Sequence, residues 1–368
     1  MTNTRYAPDL VFERQIGSAA PREFAEPPSG ASGFGNVFTD HMVTIRYRPD
    51  EQWHGARVER FGSMTVSPAA AVLHYGQAIF EGLKAYRAPD DRVLLFRPDA
   101  NAARFRRSAR RLAMPEIPSE LFIRAVEQLV AADRRWVPST DGGSLYVRPF
   151  MVATEPFLGM RPAEEYLFCV IASPVGGVFA GGPGGAISVD VSHDYARAAP
   201  GGTGSAKCGG NYAAALPALR RAVSSGYDQV VFLDAARHRY VEELGGMNIF
   251  FVFREGRIAT PPLLDTVLAG VTRDSVITLA EEAGHRVVEA PYTVEQWRDD
   301  AATGQLREVF ACGTAATIVG IDRVRYLDEE FTVGDGGVGP ITAGLRTRLL
   351  DLQYGRATDV HNWIRVLP

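Results

Sequence analysis

The stretch "GGTGSAKCGGNYAAALPALR", residues 201–220, decides the fold. It places Lys207 among glycines, directly before an alanine- and leucine-rich segment that predicts a helix. Glycines leave a backbone open to close approach by a ligand, and a lysine amine can attack a carbonyl group. The alternative is a solvated lysine at a flexible loop tip, since most lysines are exposed.

Two phosphate-binding motifs are excluded as explanations of this lysine. A P-loop needs glycine directly before the lysine and Ser or Thr directly after it, whereas Lys207 lies between Ala206 and Cys208. A dinucleotide fingerprint occurs by spacing in "GDGGVGP", residues 334–340, but too little chain follows for a strand–helix–strand unit. We interpret that segment as a turn leading into the last helix.

Composition limits the class of protein. The chain has 368 residues, 46% of them hydrophobic, and a formal net charge of −4. This length predicts two domains, and the mild charge argues against a nucleic-acid or membrane-surface protein. No window predicts a membrane span, the N-terminus lacks the apolar run of a secretory signal, and three cysteines without a close pair suggest neither a disulfide framework nor a thiolate metal site. We therefore expect a cytoplasmic protein without a metal site.

Hydrophobic patterns predict a mixed α+β or α/β chain in two domains. Strand-like runs include "HMVTIRYR", "SLYVRPFMVA", "YLFCVIAS", "AISVDVS", "NIFFVF" and "EVFACG". Helical patterns occur in "NAARFRRSARRLAM", "SELFIRAVEQLVAADRRW", "TRDSVITLAEEAG" and the closing segment. The glycine- and proline-rich "SPVGGVFAGGPGG" predicts an interdomain linker. The predicted limits are 1–174 for a small domain, 175–185 for the linker and 186–368 for a large cofactor-binding domain.

Two adjacent glutamates, Glu242 and Glu243, begin the apolar strand of "YVEELGGMNIFFVF". In an extended strand they face opposite sides, so one of them points inward. A carboxylate in a core needs a cation or donor, and no cation lies nearby in the sequence, so a ligand could supply it. The alternative is that both glutamates are solvated in a turn before the strand.

Two other segments predict anion-binding backbone. In "LAGVTRDSV", Gly270 and Val271 lead into Thr272, which we predict to cap a helix whose free amides and dipole favour a phosphate. In "ACGTAATIVG" a strand ends in a turn of small residues that contains Thr314 and Ala315. Ordinary helix and turn chemistry is the alternative for both segments.

Seven blocks of the chain, in order, resemble the branched-chain amino-acid aminotransferases, which are fold-type-IV pyridoxal-phosphate enzymes. The blocks are "LHYGQAIFEGLKAYR" (73–87), "LFRPDANAARFRRSARRLAMP" (95–115), "SLYVRPFMVATEPFLG" (144–159), "GSAKCGGNYAAALPA" (204–218), "EELGGMNIFFVF" (242–253), "PPLLDTVLAGVTRDSV" (261–276) and "CGTAATIVGI" (312–321). The resemblance covers most of the chain, the extreme N-terminus and surface segments excepted.

The resemblance implies roles for the cofactor residues. Lys207 forms a Schiff base with pyridoxal 5'-phosphate and then moves the substrate's α-proton. Glu243 pairs with the pyridine nitrogen, which is then the missing cation, and Tyr212 hydrogen-bonds the ring hydroxyl. The phosphate is held by Arg104, by the helix start at Val271 and Thr272, and by Thr314.

Arg104 begins an arginine-rich helical segment, and with Arg107 and Arg111 it falls on one predicted face. A solvated basic face, or a nucleic-acid contact, is therefore an alternative for the helix as a whole. The acidic net charge disfavours the second, and the family block singles out Arg104 as the phosphate ligand. Its neighbours are expected to be surface residues.

The resemblance also implies the substrate site and a homodimer. Phe80 and Tyr146 line an apolar pocket, and Arg148, on the same face of the strand as Tyr146, pairs with the distal carboxylate of glutamate. Pro149 favours an alternative in which this strand is an edge and Arg148 is solvated. The substrate's α-carboxylate lies on the backbone amides of Thr314, Ala315 and Ala316. Tyr75 reaches the active site of the neighbouring subunit.

The implied activity is reversible transfer of the amino group of L-leucine, L-isoleucine or L-valine to 2-oxoglutarate. Within the same fold, a D-amino-acid aminotransferase and an aminodeoxychorismate lyase are alternatives. A phosphate- or nucleotide-binding module without covalent chemistry is an alternative from a different class. The "YVRPF" and "FEGLKAYR" motifs favour the branched-chain group.

Overall fold

The structure is a computed structural model that describes residues 10–16, 34–140, 142–176 and 185–367. Its strands are β1 (Glu13–Gln15), β2 (His41–Arg48), β3 (Gln52–Arg60), β4 (Ala78–Phe80), β5 (Leu83–Arg87), β6 (Val93–Phe96), β7 (Ser144–Ala153), β8 (Tyr166–Val175), β9 (Ala186–Ser192), β10 (Gln229–Leu233), β11 (Val241–Leu244), β12 (Asn248–Phe253), β13 (Ile258–Thr260), β14 (Val287–Glu289), β15 (Leu306–Gly313), β16 (Thr317–Tyr326), β17 (Glu329–Thr332) and β18 (Ile364–Val366).

The helices are α1 (Ala71–Tyr75), α2 (Pro98–Arg111), α3 (Ser119–Ala132), α4 (Gly209–Ser224), α5 (Val271–Glu282), α6 (Val294–Ala302) and α7 (Pro340–Gln353). Helix α2 begins with Pro98, whose fixed φ suits the first helical position. Helix α6 begins with a capping box in which Thr293 and Gln296 bond each other's backbone amides. None of the helices in the described ranges has both the length and the apolar character that a membrane span requires.

The chain divides into two compact units. The first contains the described residues of Met1–Val178, Ala206–Gly209 and Gln353–Pro368, and the second contains those of Phe179–Ser205 and Gly210–Leu352. Two segments distant in sequence, at 206–209 and 353–368, thus belong to the first unit. The predicted domain limits stay a prediction, and most of the predicted linker lies outside the described residues.

The first unit is built on a sheet of nine strands among the described residues, in the order β1-β3-β2-β8-β7-β5-β6-β18, with β4 also paired to β7. All its pairs are antiparallel except β1 with β3. Helices α2 and α3 pack on each other, and α3 packs on β2 and β8. Their apolar faces bury Phe105 and Phe122 against Phe168 of β8.

Pro149 lies in β7, which is a central strand with β8 on one side and β4 and β5 on the other. The expectation of an edge strand is therefore wrong. A proline fits here because its neighbour is interrupted: β4 ends at Phe80 and β5 begins at Leu83, so the missing N–H faces the gap between them. The Glu81 amide donates to the Pro149 carbonyl across this gap.

The second unit has a sheet of nine described strands in the order β11-β10-β9-β16-β15-β12-β13-β14, with β17 paired to β16. Strand β9 is parallel to both β10 and β16, while β12, β15 and β16 are antiparallel to one another in turn. Helix α6 covers β15 and β17, and its Trp297 packs against Phe251 of β12. The mixed helix and strand content agrees with the predicted fold class.

Candidate active site

Lys207 is fixed through its main chain in the first unit. Its amide donates to the Ser108 hydroxyl at 2.9 Å, and its carbonyl accepts from the Phe80 amide at 3.0 Å. The next residue, Cys208, forms an isolated antiparallel bridge with Ile79 of β4. Because both backbone groups of Lys207 are bonded, the starting point of its side chain is well defined. The Lys207 Nζ lies 4.9 Å from the centre of the Phe80 ring.

Arg104 is buried, whereas Arg107 and Arg111 on the same predicted face are exposed. Arg104 forms a bidentate ion pair with Glu81, from Nε to Oε1 at 2.7 Å and from Nη2 to Oε2 at 2.8 Å. The Glu81 side chain is fully buried, and Asn101 also donates to it at 2.8 Å. The expectation that Arg104 differs from its arginine neighbours agrees with this burial.

Phe80, Tyr146 and Arg148 lie together in the first unit. The guanidinium carbon of Arg148 is 4.7 Å from the Phe80 ring centre and 5.3 Å from that of Tyr146. The Tyr146 hydroxyl occupies the space that a side chain at residue 82 would take, since a Cβ on Gly82 would lie 2.0 Å from that oxygen. The glycine of "FEGLKAYR" thus makes room for the tyrosine of "YVRPF".

Glu242 and Glu243 are both buried in β11, so a solvated turn is excluded. Glu243 does have a cation from the protein, because Arg197 Nη2 lies 2.6 Å from its Oε1. A ligand is therefore not needed to supply a cation to this carboxylate. The Leu268 amide and the Asn248 side chain also donate to Glu243, at 3.2 Å and 3.3 Å. These contacts stabilise a carboxylate inside the second unit.

The start of α5 lies close to the same glutamate. The helix begins at Val271 with Gly270 as its N-cap, so Thr272 is the second helical residue, and the prediction that Thr272 is the cap is wrong. A Cβ on Gly270 would lie 2.1 Å from the Asn248 Oδ1. Since Asn248 also bonds Glu243, this close approach brings the α5 N-terminus and the Glu243 carboxylate to one place.

Residues 314–316 form the turn of the hairpin between β15 and β16, with Gly313 opposite Thr317. All three turn residues are partly exposed. Thr317 closes the turn with a φ of +64°, an uncommon conformation for a branched residue. The tight turn leaves short side chains around its backbone amides, as an anion site requires.

Tyr212 and Tyr75 are the remaining predicted site residues. Tyr212 is half-buried on α4, and a Cβ on Gly246 would lie 3.5 Å from its ring. Tyr75 ends α1 in the first unit and is 41% exposed. Its hydroxyl donates to the Leu158 carbonyl. Tyr75 therefore lies at the surface of its own chain.

Sequence reasoning missed the residues that hold the predicted ones. Glu81 and Ser108 lie inside the quoted blocks. For Ser108 a signal was available, because it follows Arg104 by four residues and so falls on the same face of α2. Arg197 lies outside every quoted block and gave no signal. Among the described residues, no group of three or more His, Cys, Asp or Glu side chains could hold a metal ion.

Comparison with known proteins places these features in a family. The sequence model of the amino-transferase class IV family matches residues 78–324. A branched-chain-amino-acid aminotransferase of Mycolicibacterium smegmatis is 54% identical over 336 residues, which are 90% of this chain and 91% of that protein. Branched-chain-amino-acid transaminase 1 of Bacillus subtilis is 43% identical over 92% of this chain and 95% of its own length.

Solved structures of branched-chain amino acid aminotransferases are similar in fold to this chain. A branched-chain amino acid aminotransferase from Escherichia coli has a TM-score of 0.70 at 28% identity, covering 89% of this chain and 98% of the other. The branched-chain amino acid aminotransferase from Thermobaculum terrenum, in its PLP-form, has a TM-score of 0.70 at 25% identity and likewise covers 89% and 98%.

Proposed function

The chain belongs to the amino-transferase class IV family, and we propose that it transfers the amino group of branched-chain L-amino acids to 2-oxoglutarate. The observation that carries this proposal is 54% identity over 90% of the chain to a branched-chain-amino-acid aminotransferase. None of the relatives named above is a D-amino-acid aminotransferase, an aminodeoxychorismate lyase or a nucleotide-binding module. The predicted family, fold class and activity are confirmed at this level.

The enzyme uses pyridoxal 5'-phosphate, and the residues present fit this cofactor. One lysine is fixed through its main chain, one arginine is buried and paired with Glu81, and a buried carboxylate lies close to a helix N-terminus. When bound, the cofactor supplies a ring that accepts negative charge from the substrate's α-carbon. An amine, a phosphate-binding cation and an acceptor for a ring N–H are the groups such a cofactor needs.

In this proposal, residues of the first unit transfer the substrate's α-proton, bind the cofactor phosphate and bind the substrate side chain. We propose that Lys207 takes the proton from the substrate's α-carbon and returns it, which suits an amine whose backbone is bonded on both sides. Arg104 binds the cofactor phosphate. Phe80 and Tyr146 line the pocket for the branched side chain, and Arg148 beside both rings binds the distal carboxylate of glutamate.

Residues of the second unit hold the cofactor and the substrate's α-carboxylate. Glu243 accepts a hydrogen bond from the ring nitrogen, and Arg197 keeps a positive charge beside it. Val271, Thr272 and Thr314 donate to the phosphate, and Tyr212 donates to the ring hydroxyl. The amides of Thr314, Ala315 and Ala316 bind the α-carboxylate.

The test is identification of the lysine that carries the cofactor. The chain has two lysines, Lys84 and Lys207, and burial lowers the pKa of Lys84 to about 8, so it is the other candidate amine. Borohydride reduction of the holoenzyme followed by mass spectrometry should place the pyridoxyl group on Lys207 alone. Lys207→Ala should lose turnover by several orders of magnitude. A label on Lys84, or a fully active Lys207→Ala protein, would overturn the assignment.

We also propose that the enzyme is a homodimer in which Tyr75 reaches the neighbouring active site. Apolar side chains are strongly exposed around Tyr75: Leu73 is 59% exposed, Leu158 67% and Met160 96%. Phe157 adds a ring 6.3 Å from that of Tyr75. Several strongly exposed apolar side chains near one residue are typical of a contact with another chain. A second copy is the occupant that the family resemblance implies.

Sedimentation of dilute protein tests the dimer. Leu158→Asp with Met160→Asp should shift the enzyme toward the 40.0 kDa monomer and reduce activity. Leu327→Asp, a change at an exposed leucine of the second unit, is the matched control and should leave the mass unchanged. A wild-type protein that sediments as an active monomer would contradict the proposal.

We propose the cytoplasm as the location, since Cys169, Cys208 and Cys312 are buried free thiols that a reducing compartment would preserve. Cell fractionation followed by detection of the protein tests this. Recovery with exported proteins would contradict it.

A further inference from the structure

Glu81 and Arg104 form a buried ion pair next to Lys207. Their side chains are 0% and 5% exposed, and the two bonds between them are short and parallel. Asn101 and the Gly82 amide donate to the same carboxylate. Breaking such a pair by removing one partner leaves a buried charge without compensation and is strongly destabilising.

The carboxylate is ionised at neutral pH. Burial by itself would raise the pKa of the Glu81 carboxyl, but the charge and hydrogen bonds of Arg104 outweigh it, with smaller contributions from the Lys207 charge and the Asn101 bond. The pKa therefore lies below its usual value. A negative charge thus lies against the guanidinium that is proposed to receive the cofactor phosphate.

We propose that Glu81 is the counter-ion that keeps Arg104 in place before the cofactor binds and that weakens the enzyme's hold on the cofactor phosphate afterwards. This inference rests on the proposed role of Arg104 as a phosphate ligand. Without an anion, Glu81 balances the buried guanidinium. With a phosphate present, two anions share one cation, and the repulsion between them lowers phosphate affinity.

The direction in which phosphate affinity changes when Glu81 is removed distinguishes this role from a purely structural one. If Glu81 only aimed Arg104, its loss would weaken phosphate binding. If Glu81 is a competing anion, its loss should destabilise the cofactor-free chain and strengthen phosphate binding. Lower stability together with tighter phosphate binding would show that Glu81 both positions Arg104 and limits the affinity of Arg104 for phosphate.

The experiment uses the full chain stripped of cofactor, with inorganic phosphate as the probe and sodium chloride to match ionic strength. Glu81→Gln should lower the unfolding temperature by about 5 °C. Phosphate should then raise it more than it raises the wild type, corresponding to about tenfold tighter binding. The holoenzyme of Glu81→Gln should release pyridoxal phosphate more slowly on dialysis, followed by absorbance.

Three further variants control the experiment. Glu81→Asp keeps the charge with a shorter reach, and its phosphate affinity should stay within about threefold of wild type. Asp190→Asn breaks a bidentate pair with Arg325 in the second unit and leaves Glu81 and Arg104 intact, so phosphate should raise its unfolding temperature only as much as it raises that of the wild type. Arg104→Met should remove the phosphate effect in both the wild-type and the Glu81→Gln chain.

The outcomes distinguish the inference from its premise. Full phosphate stabilisation of Arg104→Met would refute Arg104 as the phosphate ligand. With that premise intact, unchanged or weaker phosphate binding by Glu81→Gln, or tight binding by Glu81→Asp, would overturn the counter-ion role. If Glu81→Gln folds only when phosphate or cofactor is present, the counter-ion role is supported. If Glu81→Gln fails to fold both with phosphate and with cofactor, the counter-ion role is refuted.

Discussion

Arg148 donates a hydrogen bond from Nη2 to the hydroxyl of Tyr146, two residues before it on β7, at 3.0 Å. Its Nε is buried without a hydrogen-bond partner in the described part of the chain. A buried guanidinium donor without an acceptor is costly, and a substrate carboxylate would satisfy it. In the proposed function, this pair joins an aromatic wall for leucine to a cation for glutamate.

Arg148→Met should separate the two half-reactions. The Met side chain preserves an apolar wall but leaves the distal carboxylate of glutamate without a cation. We expect single-turnover rates with glutamate or 2-oxoglutarate to fall about a hundredfold more than those with leucine. Equal losses in both half-reactions would mean that Arg148 supports the site generally.

Gly82→Ala should damage the site through Tyr146. The new Cβ would lie 2.0 Å from the Tyr146 hydroxyl oxygen and 2.8 Å from the ring carbon that bears it, so the ring must move. We expect kcat/KM for leucine to fall at least about tenfold. Gly344→Ala on α7, where a Cβ meets nothing within 4 Å, is the control and should be neutral or stabilising. Wild-type kinetics for Gly82→Ala would show that Tyr146 does not line the pocket.

Arg197→Met should destabilise the protein because it leaves the Glu243 carboxylate buried without its cation. Both side chains are almost fully buried, and the expected loss is about 3 kcal/mol of unfolding free energy, measured by urea denaturation. The double variant Arg197→Met with Glu243→Gln should recover part of this loss, since no charge remains unbalanced. Additive losses would show that the two side chains do not interact.

Glu242→Gln should change how stability depends on pH. Burial is the main cause that raises the pKa of Glu242, and its Oε2 lacks a hydrogen-bond partner among the described residues. The folded chain therefore keeps this proton to higher pH than the unfolded chain, and stability is lost as pH rises through the raised pKa. Relative to wild type, Glu242→Gln should gain unfolding temperature from pH 4.5 to pH 8. Glu255→Gln, whose carboxyl is exposed, should show no such gain, and a flat difference for Glu242→Gln would contradict the prediction.

Local patterns predicted much of the fold. His41–Arg48, Ser144–Ala153 and Asn248–Phe253 are strands with the limits read from the sequence, because each is a run of β-formers bounded by polar or turn residues. Strand β3 escaped notice because glycine, histidine and charged residues interrupt its pattern. Helix α6 escaped notice although its capping box is legible in the sequence.

The sequence names candidate site residues one by one but does not predict the contacts that hold them. Lys207 and Arg104 follow from motifs, yet Ser108 lies 99 residues from Lys207 and Glu81 lies 23 residues from Arg104. Arg197 supplies the cation that the sequence neighbourhood of Glu243 lacks. The folded topology brings such partners together, so they cannot be identified from the local sequence around either residue.

Residues Ala206–Gly209 belong to the first unit although most of the sequence around them belongs to the second, so a single cut cannot separate the two units. A polypeptide cut within residues 177–184 would leave Lys207 on the C-terminal fragment, while Ser108 and Phe80, which bond its backbone, would remain on the other. Neither fragment expressed alone would contain a correctly held lysine. The two halves of this gene are therefore not independent modules, and recombination with a relative must exchange both or place its junctions on either side of Lys207.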